Sequence, residues 1–253
     1  MISKLFKKIK IREGGMPMNE SHKQNNLSVI KGFKPWQFIV SAYFWLAVLL
    51  VILQQLLTVL PMMTPLLRSD FGEELTVFPY IVTVMTVAGA FGLSYFAYFI
   101  ANRYSPYNLW ERIAELDYLP LGLGYLVVIG LNVSVQYLFE GQEQMNQLLI
   151  EESVAQQPVA MFFLVVLVAP VVEEVIFREL VPRSLGRSWI AYIIGSILFA
   201  LIHVPTGIEG WLMYGGMSAV MLYMRLRRDN LNESIAFHML NNIVSFIAMM
   251  NLM

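Results

Sequence analysis

Residues 158–182, PVAMFFLVVLVAPVVEEVIFRELVP, decide the fold, because a long apolar run here ends in charged residues. The run is long enough to cross a hydrocarbon layer about 30 Å thick, which takes roughly 20 helical residues. An ionisable side chain at the centre of such a helix costs roughly 2.5 to 3.5 kcal/mol on insertion scales, so these residues usually face a protein interior. The stretch therefore predicts a membrane helix that directs Glu173, Glu174 and Arg178 into a helix bundle.

The composition of the whole chain is that of a membrane protein. Of its 253 residues 57% are hydrophobic and 14% are charged, against about 25% charged in an ordinary soluble domain. The mean hydropathy is +0.60. The net charge of −1 gives no indication of a nucleic-acid partner. Because the chain has no cysteine, a disulfide framework, a thiol nucleophile and a cysteine-based metal site are excluded within it.

Apolar segments along the chain predict an all-α, polytopic transmembrane helix bundle with about seven membrane segments. They lie near 36–60, 76–101, 118–139, 158–182, 188–205, 211–225 and 233–253. Lys and Arg favour the cytoplasmic side of a membrane. All of them except Arg68 fall in the polar tail, in alternate connections on the same side as the tail, or at the ends of the segments that lead into these connections. The pattern predicts a basic cytoplasmic tail, residues 1–35, and a multi-pass domain of the cell membrane, residues 36–253.

The charged residues of the fourth segment suggest one local ion pair. Arg178 lies four residues after Glu174 on the same helix face, in the order that favours pairing. Glu173 is left without a partner on its own helix. A simpler interpretation of Arg178 is that its flexible side chain extends to the membrane interface.

Two histidines occur in apolar segments. His203 ends the run SILFALIH, and His238 is followed by Asn242 at i+4, so that an imidazole and a carboxamide share one helix face. Together with Glu173 these side chains come from three different segments and can meet only inside the bundle. Such a set can deprotonate a water, hold a metal, or donate hydrogen bonds to an oxyanion.

Three short motifs now carry a resemblance to a known family. They are Glu173-Glu174-Val-Ile-Phe-Arg178, Phe199-Ala-Leu-Ile-His203 and His238-Met-Leu-Asn-Asn242. In this order, on successive apolar segments, they resemble the EExxxR, FxxxH and HxxxN motifs of the CPBP family of intramembrane proteases, which are CAAX prenyl proteases and Abi-like, bacteriocin-processing proteins. The resemblance covers about residues 158–246.

The resemblance implies an intramembrane endopeptidase, a CPBP-type enzyme that hydrolyses a peptide bond. It implies Glu173 and His203 as the base and the water holder, His238 with Asn242 as the oxyanion or ligand pair, and Glu174 with Arg178 as an orienting pair. A divalent metal ion such as Zn is left open, with Glu173, His203, His238 and Asn242 as its candidate ligands. The implied partners are a peptide or protein substrate at the membrane and the lipid bilayer, whereas the oligomeric state is not indicated.

Other functions remain as alternatives. The same cavity can serve a non-proteolytic protein, such as a bacteriocin self-immunity or regulatory membrane-binding protein, or a transporter with Glu173 and His203 as a proton relay. Gly216-Met-Ser218-Ala resembles the GxSG element of a rhomboid serine protease without its second glycine. The chain has no HExxH motif and no aspartate within a predicted span. Among substrates, prenylated tails, bacteriocin leaders and pheromone precursors stay equally open.

Helix length sets one condition on this site. At 1.5 Å per residue, His203 lies about 22 Å from Trp189 at the predicted start of its helix, whereas Glu173 and His238 are expected nearer the cytoplasmic side. We therefore expect residues 183–192 to stay at or below the interface, so that the fifth helix enters part way and breaks at residues 205–207. We also expect the sixth segment to be short, at about 15 residues, which is less than a full span needs.

Overall fold

The computed structural model of the protein describes residues 38–71, 77–139 and 144–252, so the predicted tail 1–35 lies outside the described residues. Within these three ranges the chain is mainly helical and has no strand, which confirms the all-α prediction. The helices are α1 (Ala42–Phe71), α2 (Phe78–Tyr104), α3 (Tyr118–Leu138), α4 (Met145–Gln156), α5 (Pro158–Ser184), α6 (Trp189–Ile202), α7 (Gly207–Arg227) and α8 (Leu231–Leu252).

Four of these helices are long and apolar enough to cross a membrane. They are Ala42–Met62 within α1, together with the whole of α2, α3 and α5. The apolar helix α6 is shorter, with 14 residues. These lengths and compositions are those of an integral membrane protein with several spans, as predicted.

Two predicted boundaries are wrong. Residues 140–157 lie between the third and fourth predicted segments, where no helix was predicted, but α4 occupies most of them, because a largely polar helix has no apolar run to mark it. The sixth segment was expected to have about 15 residues, but α7 has 21 residues and begins at Gly207. Gly207 and Gly210, both poor helix formers, hide its first turn in the sequence.

Helix α5 is the central helix of the bundle. Of the 18 consecutive residues that are most apolar in α5, 67% are buried. The corresponding stretches of α1 and α3 are 11% and 22% buried. It packs against α1, α2, α6 and α8, while α7 packs against α3, α6 and α8. The charged face of α5 therefore lies inside the protein, as the sequence predicts.

Two prolines interrupt the regular hydrogen bonding of α5. The turns before Pro170 and Pro182 are π-helical: the amide of Ala169 donates to the carbonyl of Leu164, and that of Val181 to the carbonyl of Ile176. Proline has no N–H group to donate, and its ring clashes with the preceding turn of a regular helix. A widened turn relieves this clash and leaves one carbonyl before each proline without its helical partner. The two glutamates lie between these two wide turns.

The carbonyl freed before Pro182 belongs to Phe177, and it faces α6. A Cβ atom on Gly195 of α6 would overlap this oxygen. Glycine at this position therefore permits α5 and α6 to approach closely, which brings the end of α6 towards the glutamates of α5.

We expect Gly195→Ala to lower the free energy of unfolding by about 1 to 3 kcal/mol, the usual cost of an overpacked contact. The backbone oxygen of Phe177 cannot move aside as a flexible side chain can. Denaturant unfolding of the purified protein in detergent measures the change. Gly92→Ala is the matched control, because a Cβ at Gly92 meets no atom within 4 Å among the described residues. Equal losses in both variants would contradict this account.

The chain reverses direction just after His203. Val204 and Gly207 have positive φ angles of 48° and 63°, so α6 ends here and α7 begins two residues after Pro205. The buried side chain of Gln144 holds this turn, because its Oε1 accepts hydrogen bonds from Thr206 N at 3.0 Å and Thr206 Oγ1 at 2.8 Å. The predicted break at residues 205–207 is confirmed. The position of residues 183–192 relative to the bilayer stays a prediction.

The start of α8 is anchored to the connection between α2 and α3. The Oδ1 of Asn230 accepts a hydrogen bond from the amide of Asn232 at 3.1 Å, as helix-capping residues do. The side chain of Asn232 donates to the carbonyl of Leu109 at 2.7 Å and accepts from the Tyr98 hydroxyl at 2.7 Å. These bonds determine the position of α8 and therefore of His238, two turns further along.

Buried ion pairs join the ends of α5, α7 and α8. Arg225 Nη2 lies 2.9 Å from Glu179 Oε2, and Arg227 Nη2 lies 2.8 Å from Glu233 Oε2. Arg227 also donates to Asp117 at 2.9 Å, which holds the pKa of this carboxyl below its usual value. The basic residues that predict the cytoplasmic side thus also tie the helices together at that end.

Candidate active site

The six predicted site residues lie on α5, just after the end of α6, and on α8, and four of them form two pairs. Glu173 Oε2 lies 3.9 Å from His203 Nε2. Glu174 Oε1 lies 3.4 Å from His238 Nδ1. The structure therefore divides the predicted constellation into two adjacent carboxylate–imidazole pairs.

The two oxygens of Glu173 have different surroundings. Oε1 accepts a hydrogen bond from Gln54 Nε2 of α1 at 3.0 Å. Oε2 is buried and has no hydrogen-bond partner among the described residues. Its 3.9 Å separation from His203 Nε2 is too long for a direct hydrogen bond. Glu173 therefore presents one free acceptor to His203.

The second ring nitrogen of His203 determines which nitrogen carries the proton. Nδ1 lies 2.8 Å from the backbone carbonyl of Phe199. A carbonyl can only accept, so Nδ1 is the donor, and in the neutral imidazole Nε2 is an acceptor. Two acceptors, Glu173 Oε2 and His203 Nε2, thus face each other. The ring of Tyr214 stacks on His203 with 4.8 Å between centroids and limits its movement.

Glu174 is fully buried and contacts three polar side chains. Arg178 Nε lies 3.4 Å from Oε2, Ser234 Oγ donates to the same oxygen, and His238 Nδ1 is near the other oxygen. Among the described residues Ser234 makes the one hydrogen bond to this carboxylate, and the charge of Arg178 compensates part of the cost of burying it. Glu174 therefore links α5 to α8.

Arg178 is fully buried, so its side chain does not extend to a membrane interface. Its guanidinium is divided between two partners, because Nη2 donates to Ser218 Oγ at 2.8 Å and to Ser218 O at 3.2 Å. The Ser218 hydroxyl in turn donates to the carbonyl of Ser196 at 3.0 Å. Ser218 is thus a buried link between helices, which does not support the serine-nucleophile alternative.

Asn242 does not point at the same partner as His238. Its Nδ2 donates at 2.8 Å to the carbonyl of Val165, which loses its helical partner in the wide turn before Pro170. Asn241 Nδ2 donates to Asn242 Oδ1 at 3.2 Å. The amide of Asn242 therefore joins α8 to α5 in this structure.

Phe199, the aromatic residue of the second motif, lies between the two pairs. Its ring centroid is 4.6 Å from that of His203 and 5.6 Å from that of His238. The guanidinium carbon of Arg178 lies 5.3 Å from the same centroid. One fully buried ring thus sets the separation of the two histidines.

Sequence reasoning missed several residues around the site. They are Gln54, Tyr214, Ser218 as a partner of Arg178, and Ser234. An amide inside the apolar run VILQQLLTVL was a signal for Gln54, since polar groups in membrane helices often bond to another helix. Ser234 precedes His238 by one helical turn, whereas nothing local indicated Tyr214.

The predicted metal ligands do not converge on one point. In the part of the chain that the structure describes, no group of three or more His, Cys, Asp or Glu side chains is arranged to hold a metal ion. Asn242 donates to a backbone carbonyl, and His238 faces Glu174. Zinc sites in enzymes ordinarily have three protein ligands. The donor set here does not fit such a site, and we assign no step to a metal.

The described helices and paired residues define a multi-pass membrane protein with two glutamate–histidine pairs inside the helix bundle. Residues 155–244 match the family described as type II CAAX prenyl endopeptidase Rce1-like. All three motifs lie inside this segment. The match confirms the family resemblance, predicted from the motifs, for this part of the chain.

Similar proteins occur in Lactococcus lactis subsp. lactis (strain IL1403). The UPF0177 protein YvdC is 28% identical over 68% of this chain and 65% of its own length. The UPF0177 proteins YbdI and YaiH are 34% and 38% identical, over 30% and 34% of this chain and 42% and 36% of their own lengths. The chain thus covers less than two thirds of each of these relatives. No solved structure matches it.

Proposed function

We propose that the protein is an intramembrane endopeptidase in which Glu173 and His203 activate a water molecule. The observation that carries this proposal is the pair of acceptors, Glu173 Oε2 and His203 Nε2, which face each other at 3.9 Å inside the bundle. A water molecule has two protons to donate, so it can bond to both acceptors at once. Its oxygen lone pairs then remain free for attack on a carbonyl carbon.

Glu173 is the general base of the proposed reaction. It takes one proton from the water as the oxygen adds to the scissile carbonyl carbon and forms a tetrahedral oxyanion. The C–N bond then breaks, and the leaving nitrogen receives the same proton from Glu173. The products are a carboxylic acid and an amine, and Glu173 returns to its starting state. His203 holds the water through Nε2 while its Nδ1 stays bonded to Phe199 O.

His238 is the proposed donor to the oxyanion. Its Nδ1 faces Glu174 Oε1 at 3.4 Å. Donation from Nε2 to developing negative charge requires a proton on that nitrogen as well, so the proposed role needs both ring nitrogens protonated. The predicted partnership with Asn242 requires its amide to exchange Val165 O for the substrate.

The proposed substrates are membrane-associated peptides or proteins. Of the candidates, a prenylated C-terminal tail agrees with the description of the matching family, which names CAAX prenyl endopeptidases. Bacteriocin leaders and pheromone precursors stay as alternatives, and unprenylated peptides form the second arm of the test. The lipid bilayer is the medium in which the substrate meets the site.

Peptide cleavage in a defined membrane tests the proposal. The full chain in lipid nanodiscs is incubated with a mixture of internally quenched synthetic peptides, half of them farnesylated on a cysteine near the C-terminus. Mass spectrometry identifies new termini, and the blank is the double variant Glu173→Ala/His203→Ala. Termini formed by the wild type alone would support the proposal, and their chemistry would select the substrate class. Equal products from both proteins, or none from either, would refute it.

We expect chelation to leave this cleavage intact. The prediction follows from the ligand geometry, since Glu173 and His203 alone are too few to hold a catalytic zinc ion. Cleavage rates before and after dialysis against 1,10-phenanthroline measure the effect. A loss that added Zn²⁺ restores would mean that a metal site forms from further residues.

A further inference from the structure

Gln54 of α1 makes an unusual contact for its position. Its helix lies mostly exposed on the outside of the bundle, because only 11% of its most apolar 18-residue stretch is buried. Yet Gln54 Nε2 reaches into the bundle and donates to Glu173 Oε1 at 3.0 Å, across 119 residues of sequence. Among the described residues, this is the one hydrogen bond that the Glu173 carboxylate receives. Gln54 lies outside the segment 155–244 that matches the protease family.

The hydrogen bond from Gln54 restricts the terminal side-chain torsion of Glu173. The terminal torsion of a glutamate is broad and roughly two-fold, so a carboxylate without a partner can turn both oxygens away from a given point. A donor at Oε1 sets the plane of the group and leaves Oε2 directed towards His203 Nε2. Small errors in the placement of a base can cost a large factor in rate.

We propose that Gln54 is a positioning residue, which holds the Glu173 carboxylate in the plane that activates water. This inference rests on the proposed function. It extends the catalytic unit beyond the motif-bearing helices to α1, so that the N-terminal part of the chain contributes to catalysis as well as to membrane insertion.

Gln54→Met tests the role, because methionine has a similar length and no donor. We expect kcat to fall about tenfold or more and KM to stay within about twofold, since orientation of the base affects the chemical step. Gln55→Met is the matched control: Gln55 is adjacent and exposed, and among the described residues the hydrogen bond to Glu173 comes from Gln54. The substrate is the best-cleaved quenched peptide from the mixture above. Equal kcat in the wild type and Gln54→Met would overturn the positioning role while leaving the proposed function standing.

A second measurement tests the contact without any activity. Unfolding temperatures are compared for the wild type, Gln54→Met, Glu173→Met and the double variant. If the two side chains are bonded, Gln54→Met lowers the unfolding temperature in the wild type and has a smaller effect when Glu173 is already absent. Additive changes would overturn the inference, even with kcat reduced. A wild type that cleaves no peptide would remove the proposed function, and the role of Gln54 with it.

Discussion

Glu173→Gln is expected to lower kcat by about 10²- to 10⁴-fold, the usual contribution of a general base. Glutamine keeps the size of the side chain and an acceptor oxygen, but an amide cannot take a proton from water. The unfolding temperature should change little, because Glu173 makes a single hydrogen bond in the described structure and that bond can persist to the amide oxygen. The measurement pairs cleavage of the quenched peptide with thermal unfolding.

The adjacent residue provides a sharp comparison. Glu174→Gln should destabilise the protein, because Glu174 faces Arg178, Ser234 and His238 without exposure to solvent. An amide would leave the buried guanidinium without its counter-charge, and breaking a buried pair costs about 3 to 5 kcal/mol. The two glutamates thus divide into one that acts on water and one that holds the helices. A Glu173→Gln enzyme with wild-type turnover would end the assignment of Glu173 as base.

Arg178→Lys is expected to lower the free energy of unfolding by about 3 to 5 kcal/mol, again the cost of a broken buried pair. The guanidinium spans two partners, with Nε towards Glu174 and Nη2 bonded to Ser218. A lysine ammonium is a single point of charge and cannot serve both positions. We also expect kcat to fall at least about tenfold, which is about 1.4 kcal/mol of transition-state stabilisation. The second effect arises because Glu174 also holds His238.

Arg187→Lys is the matched control for this variant. Arg187 lies in the connection after α5, has a side chain that is 31% exposed, makes long contacts to Glu179 and Asp229, at 4.0 and 3.8 Å, and contacts the side chain of Tyr192. Because its side chain is partly exposed and lysine keeps the charge, its replacement should change stability by about 1 kcal/mol or less. Denaturant unfolding in detergent and the peptide assay compare both variants with the wild type. Near wild-type stability and turnover in Arg178→Lys would show that the divided guanidinium is dispensable.

Much of the site follows from short spacings in the sequence. The pairing of Glu174 with Arg178 is an i,i+4 relation on one helix, which helical geometry alone brings together. The contact of Glu173 with His203 was predicted because either side chain would be costly to expose to lipid. The sequence did not indicate that Arg178 also bonds to Ser218 of α7, which comes from another helix.

The prolines of α5 illustrate what spacing cannot reveal. Pro170 and Pro182 indicate irregular turns, but the sequence does not show which hydrogen-bond donor or packing partner lies against the freed carbonyls. In the structure Asn242 donates a hydrogen bond to the carbonyl of Val165, whereas the carbonyl of Phe177 packs against Gly195. Both contacts depend on other helices of the bundle.

The sequence by itself determined the membrane class, the positions of the main apolar helices, and the face of α5 that lies inside. These depend on the length of apolar runs and on the period of a single helix, which are local properties. Only the tertiary structure decided that Gln54 bonds to Glu173, that Ser234 and His238 meet Glu174, and that four predicted residues separate into two pairs. These hydrogen-bond partners are set by helix packing. A polar side chain can bond to many groups, and which group it meets depends on how two helices approach each other.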